Sequence, residues 1–313
     1  MQNQRHSAFS WLLFVALCLI WGSSFILMKL GMFAADDSAA LSANQVAAIR
    51  ILSASLVLLP FAPGAWRRLP SAGTGGYIFL SGLLGSFFPA FLFCLAESKI
   101  DSSLAGTINA ITPIFTLLIA TVFFQSKIAL HKWVGIAVGF GGCLLLFTGK
   151  ENASTGHYSY GAFAVLATVC YGINVNMVRH RLMQVPSLDI ASLAFSFLLL
   201  PSLAVLYFSG FFQLPMLQAP YLGAILASAT LGVIGTALAS VLFYILVKRA
   251  GIVFASLVTY GIPFVALGWG ILYGEKIGVN QMIALLIILS GVYLANQNLL
   301  SFFRRRQKEI PPA

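Results

Sequence analysis

Long apolar runs, separated by short polar or Gly- and Pro-bearing stretches, occupy nearly the whole chain. They fall at about 11–31, 44–62, 75–96, 103–124, 132–149, 159–179, 188–208, 221–246, 252–273 and 278–299. Most reach or approach the roughly 20 residues that a helix needs to cross a bilayer. In hydrocarbon every backbone amide needs a partner, and barrel strands would be about half as long and alternating, so the runs predict helices. The expected fold is an all-α polytopic membrane protein of about ten transmembrane helices. The first run follows Arg5 and His6, as in a signal peptide, but its length and a matching run in mid-chain argue for a retained helix.

The runs repeat. At an offset of 150 residues Trp21-Gly22 meets Tyr171-Gly172, Lys29 meets Arg179, and Gly82 and Gly85 meet Gly232 and Gly235. Leu92-Phe93 meets Leu242-Phe243, Pro113 meets Pro263, Gln125 meets Glu275 and Gly141 meets Gly291. Constant spacing across glycines and prolines marks an internal duplication. It divides the chain into residues 1–152, residues 153–302 and a basic tail at 303–313. Five helices per half is an odd number, so the second half is expected to be inverted across the membrane. Two inverted half-bundles rocking about a midplane site is a transporter architecture.

Composition agrees with lipid as the solvent. Hydrophobic residues make up 59% of the 313 positions, charged residues only 8%, and the mean hydropathy is +0.93. The net charge of +10 forms no stripe with interleaved aromatics, so the basic residues read as topology signals and not as a nucleic-acid surface. With both termini in the cytoplasm, thirteen Lys and Arg lie inside against Lys29, Lys99, Lys150 and Lys276 outside, Arg50 falling within the second run. The positive-inside rule therefore predicts a multi-pass inner-membrane protein with both ends cytoplasmic. Asp36, Asp37, Glu97, Asp101, Glu151 and Glu275 then fall outside. No acid is expected within the bundle, so coupling to protons is expected to be weak or absent. The four cysteines sit singly in apolar runs and predict buried thiols, with no metal site and no cofactor.

Trp21-Gly22-Ser23-Ser24-Phe25 with Lys29-Leu30-Gly31, Arg50-Ile51-Leu52, and Ser102–Phe124 with Thr112-Pro113-Ile114-Phe115 resemble motifs of EamA-type members of the drug/metabolite transporter superfamily. So does the run from Ala255 through Pro263 to Gly274-Glu275. The resemblance covers nearly the whole chain. It departs at Gln125, where that family often carries a Gly-Glu pair. It implies a carrier whose helices one, three, four, six, eight and nine surround the cavity.

Enzyme signatures are missing: the histidines lie in loops or at run ends, and there is no HExxH, G-x-S-x-G or phosphate-binding loop. The deep charge is Arg50, read either as the partner of a substrate carboxylate or phosphate, or as a structural arginine bonded to carbonyls. Lys29 reads as snorkelling at its helix end. Pro113 and Pro263 read as hinges or gates, or as packing shape. Polar and aromatic residues gather on the same helices: Trp21, Ser23 and Ser24 in the first, Asn109 and Thr112 in the fourth, Tyr171, Asn174 and Asn176 in the sixth, Thr259 and Tyr260 in the ninth. Polar groups in hydrocarbon face inward, lining a cavity or bonding between helices. Of these, Trp21, Ser24, Arg50, Asn109, Thr112, Tyr171, Asn174, Thr259 and Tyr260 are the candidate substrate contacts. Gly135-x-x-x-Gly139 and Gly270-x-x-x-Gly274 are small-residue faces for packing within the bundle or in a homodimer.

The expectation is a secondary transporter of small organic metabolites, amino acids or related amphipathic solutes, working by alternating access and in the direction of export. Its partners are a solute and the bilayer, as monomer or homodimer. The rivals are a passive channel or facilitator and a non-transporting membrane scaffold.

Overall fold

The computed structural model describes residues 8–34, 38–124, 130–148, 158–256 and 258–296. Among them every regular element is helical, apart from one isolated bridge between Phe33 and Ala39. The first half runs α1 (Ala8–Met32), α2 (Ala43–Leu58), α3 (Ala62–Arg67), α4 (Ala72–Gly82), α5 (Phe88–Glu97), α6 (Ser102–Asn109), α7 (Thr112–Phe124) and α8 (Leu130–Thr148). The second runs α9 (Tyr158–Met177), α10 (Ser187–Phe208), α11 (Tyr221–Thr230), α12 (Ala239–Ser256), α13 (Val258–Leu272) and α14 (Val279–Asn296). A 3-10 turn at Leu59–Phe61 joins α2 to α3, and π-helical segments at Leu83–Phe87 and Leu231–Leu238 join α4 to α5 and α11 to α12.

Counted across those joints, seven helices are long and apolar enough to cross a membrane, and three shorter apolar helices accompany them: Lys132–Leu146, Val258–Leu272 and Val279–Ala295. The shorter three coincide with the fifth, ninth and tenth expected runs. At about 1.5 Å per residue, a helix of about 17 residues covers about 25 Å, short of a hydrocarbon core of about 30 Å. The basic tail at 303–313, and Gln125, Asp36, Asp37 and Glu151, lie outside the described residues.

Local signals set the helix ends. Ser42 and Gln45 form a reciprocal cap on α2: the Gln45 N–H donates to Ser42 Oγ at 3.3 Å and the Ser42 N–H to Gln45 Oε1 at 2.9 Å. Ser71 caps α4 in the same sense. Gly274 ends α13 at φ 76°, a left-handed position that a side chain would strain, and the Glu275 N–H then bonds back to the Gly270 carbonyl at 2.9 Å.

The interior contacts recur at the 150-residue offset. The face of α1 at Gly22 lies on α13 at Ile262 and Val265, and the face of α9 at Gly172 lies on α7 at Phe115 and Thr116. Gly232 packs on α2 at Arg50 and Ser53 and Gly82 on α10 at Ala194 and Leu198; the two glycines are 150 residues apart, but the positions they meet on α2 and α10 are out of that register. Ser24 abuts Gly235, and Asn174 abuts Gly85. Trp21 packs on Phe243 with ring centroids 5.2 Å apart, and Tyr171 on Phe93 at 6.1 Å. The Ser24–Gly235 and Trp21–Phe243 pairs are images of Asn174–Gly85 and Tyr171–Phe93 at that offset.

The Gly135-x-x-x-Gly139 face is used inside the bundle. Gly135 and Gly139 meet Gly291 and Ala295 of α14 backbone to backbone, an approach closed to any larger residue. Large apolar side chains such as Phe123, Leu200, Phe208, Leu272 and Leu286 point outward, as they do on helices bathed in lipid.

Candidate functional site

Two of the three π-helical segments among the described residues, Leu83–Phe87 and Leu231–Leu238, carry the contacts around Arg50 and Asn174; the third is Val178–Leu182. A π-turn shifts the backbone register by one residue and displaces a carbonyl from its usual donor. Within Leu231–Leu238 the Gly235 carbonyl accepts from the Trp21 indole N–H at 3.2 Å, and the Thr236 hydroxyl donates to the Leu231 carbonyl at 3.2 Å. Thr236 Oγ1 also accepts from Arg50 Nε at 2.8 Å. Arg50 Nη1 reaches the Met28 thioether at 3.7 Å, a weak acceptor, and the guanidinium lies near the Tyr171 side chain. The structural reading expects carbonyl partners; the described partners are a hydroxyl and a thioether. Arg50 is held by side chains on α1 and the π-segment at Leu231–Leu238, and neither of those described partners is a carboxylate.

Around Arg50 the structure gathers Trp21, Ser24, Tyr171, Phe93 and Thr236. Ser24 donates to the Ile20 carbonyl at 3.1 Å. Asn174 lies one turn from Tyr171 on α9, its Oδ1 accepting from Ser81 at 2.7 Å beside the first π-segment. Asn109 and Thr112 instead pair with each other, Thr112 Oγ1 donating to the Asn109 carbonyl at 2.8 Å across the break at Ala110–Ile111. Pro113 thus sits in the first turn of α7, where its missing N–H is costless, while Pro263 lies inside the unbroken α13. Thr259 and Tyr260 stand half-buried at the start of α13. Asn176 braces helices: its amide donates to the Thr116 and Gly172 carbonyls at 2.8 and 2.9 Å. Ser23 accepts from the Trp269 indole at 2.7 Å.

A second polar cluster closes the bundle end where α1 and α5 finish and α6 begins. Glu275 caps α6. Its Oε1 accepts from the Ser102 N–H at 2.9 Å, the Ser102 hydroxyl at 2.6 Å and Lys29 Nζ at 3.1 Å, and its Oε2 accepts from the Ser103 N–H at 3.0 Å. Gly270 has no side chain to block this approach, and the turn at Gly274 aims the carboxylate at the helix end. The second small-residue face therefore serves the placement of Glu275. Burial alone would raise the Glu275 pKa, but the hydrogen bonds from Ser102 and Ser103 and the Lys29 charge outweigh it and hold the group below its ordinary value. Asp101, 3.6 Å from Lys29, is pushed up by burial and by the Glu275 charge. Lys29 is thus an ion-pair partner and not a lone snorkelling cation.

At the far end of the α2 span, Arg68 clasps the buried carboxylate of Asp189 through Nε at 2.9 Å and Nη2 at 2.6 Å. The two ends of the bundle are each bridged by charge.

Glu97 departs from expectation. Sequence reasoning placed it outside the membrane and found no protected acid in the bundle. In the structure it is the last residue of α5, 2% exposed, and neither carboxyl oxygen has a hydrogen-bond partner among the described residues. The helix continues one residue beyond the expected apolar run, and its packing on α9, α2, α1 and α6 buries that residue. Only its place directly after Phe91–Ala96 hinted at this. Thr236 was likewise passed over, because a threonine in an apolar run carries no sign that a π-segment will turn it toward an arginine.

The profile of the EamA-like transporter family matches residues 8–148 and, separately, residues 159–297. The chain belongs to this family. It is similar to the "Uncharacterized inner membrane transporter YedA" of Escherichia coli, 26% identical over 283 residues that cover 89% of this chain and 88% of that one. It is also similar to a protein of Streptantibioticus cattleyicolor named "Probable terminal-alkyne amino-acid exporter", 24% identical over 296 residues, 93% and 94% of the two chains. A solved crystal structure shares the fold of this EamA-family chain at a TM-score of 0.60 and 17% identity, covering 97% of this chain and 99% of the other.

Proposed function

We propose that this EamA-family membrane protein is a secondary transporter that exports small organic metabolites, amino acids or related amphipathic solutes, by alternating access. The observation that carries the reading is the set of paired contacts at the 150-residue offset, Trp21 on Phe243 with Tyr171 on Phe93 and Ser24 on Gly235 with Asn174 on Gly85. In this reading the three shorter helices complete ten spans, the halves are inverted, and both termini are cytoplasmic. Rocking one half against the other then makes and breaks equivalent interfaces, as alternating access requires. Arg50 offers a guanidinium to a carboxylate while Trp21 and Tyr171 offer aromatic faces to an apolar or cationic part. The separate family matches to the two halves and the resemblance to an amino-acid exporter support it.

The test is uptake by proteoliposomes of radiolabelled amino acids and amphipathic cations. Saturable flux of a carboxylated solute is expected. Silence across the panel together with ion conductance refutes the carrier and favours a channel.

A further inference from the structure

Among the described residues three carboxylates have almost wholly buried side chains. Asp189 holds Arg68 and Glu275 caps α6. Neither carboxyl oxygen of Glu97 has a hydrogen-bond partner among the described residues. An ionised carboxylate in a water-free interior is strongly disfavoured without hydrogen bonds, and such a group takes up a proton instead.

The surroundings show what the proton controls. The helix bearing Glu97 packs on α1, α2, α6 and α9. The charged and titratable groups facing it are Lys29 from α1, Arg50 from α2, Glu275 from the turn after α13, and Cys94 on its own helix, with Tyr171 of α9 beside Cys94. Asp101, on the link to α6, pairs with Lys29. Glu97 thus stands between the Lys29–Glu275 latch and the central Arg50. An ionised Glu97 would oppose the Glu275 charge and compete for Lys29, so a charged Glu97 weakens the latch. The arrangement serves one end only. The repeat mates of Lys29, Glu97, Ser102 and Glu275 are Arg179, Val247, Ile252 and Gln125, in which the acids are lost.

We propose that Glu97 is a proton-binding site, protonated while the Lys29–Glu275 end is shut and deprotonated to entering water when that end opens. The proton is the ligand; the transport reading adds that its gradient drives the solute. Opening then gains about tenfold per pH unit for one linked proton.

Three measurements test this. In the purified protein with its glutamates isotopically labelled, infrared spectra are expected to show the carbonyl band of a protonated side-chain carboxyl at neutral pH, lost in Glu97→Gln. No such band in the wild-type protein overturns the proposal, whether or not the variant folds. With nitroxides at Lys99→Cys and Lys276→Cys, both exposed, and the four buried cysteines changed to serine, the long-distance population is expected to rise between about pH 6 and about pH 9. Glu97→Gln is expected to stay short throughout, and an equal rise in Glu97→Gln overturns the proposal. In proteoliposomes given an amino-acid mixture, loss of pH-gradient dependence in Glu97→Gln supports it and undiminished dependence overturns it. A protein that passes the first two measurements yet moves no solute refutes the transporter reading and leaves the proton site standing.

Discussion

Glu275→Gln isolates the latch between the two halves, since it keeps the side-chain volume and removes only charge and one acceptor. In the wild-type chain one carboxylate oxygen takes three donors and the other takes the Ser103 N–H. An amide retains one accepting atom, and its NH2 group then faces the Ser103 N–H, donor against donor. The remaining bonds fall from charge-assisted, about 1.5–3 kcal/mol each, to neutral, about 0.5–1.5. Lys29 is 28% exposed, so water weakens its share. The expected cost is about 3 kcal/mol, or about a hundredfold in the closed-to-open ratio of this end. Thermal unfolding in detergent should fall by about 5–10 °C. In a variant keeping only Cys94, which is fully buried one turn inward from Glu97, thiol labelling should accelerate by one to two orders of magnitude, that is, by about ten- to a hundredfold. A melting temperature within about 1 °C of wild type with unchanged labelling would refute the reasoning.

The same carboxylate sets a pH dependence. Because Glu275 is held below its ordinary value of 4.5, its contribution is present above that value and is lost as pH falls below it through the depressed one. The melting difference between wild type and Glu275→Gln should therefore shrink on acidification below about pH 4.5; a gap that widens there contradicts it. At the α8–α14 crossing, Gly135→Ala meets backbone and should cost about 1–3 kcal/mol, whereas Gly141→Ala meets open space and should be neutral or gain up to about 1 kcal/mol, both read from denaturation midpoints. Equal effects at the two glycines would argue against this packing. Arg50→Lys keeps the charge but loses the planar fork and the bond to Thr236, so KM for carboxylated solutes should rise at least about tenfold while a neutral amphipath is unaffected. Equal losses for both solutes would place Arg50 in the scaffold.

The membrane class and the helical runs were legible in the primary structure, because lipid demands apolar runs of fixed length. Trp21, Ser24, Tyr171 and Asn174 could be picked out for the same reason: a polar or amphipathic group in such a run has few places to go but inward. Glu97 could not be placed that way. A carboxylate directly after an apolar run looks the same whether water or protein covers it, and only the packing of α5 on α9, α2, α1 and α6 decides between them. Lys29 and Glu275 lie 246 residues apart, so nothing local links them, and their pairing waits on α1 meeting the turn after α13. The π-segments that turn the Gly235 carbonyl and Thr236 toward Trp21 and Arg50 leave no periodicity to read. Hydrophobic pattern specified which segments enter the membrane, since that depends on composition summed along each run. Which polar groups meet, and which acid is left without a partner, depends on helices distant in sequence and was decided only when they packed.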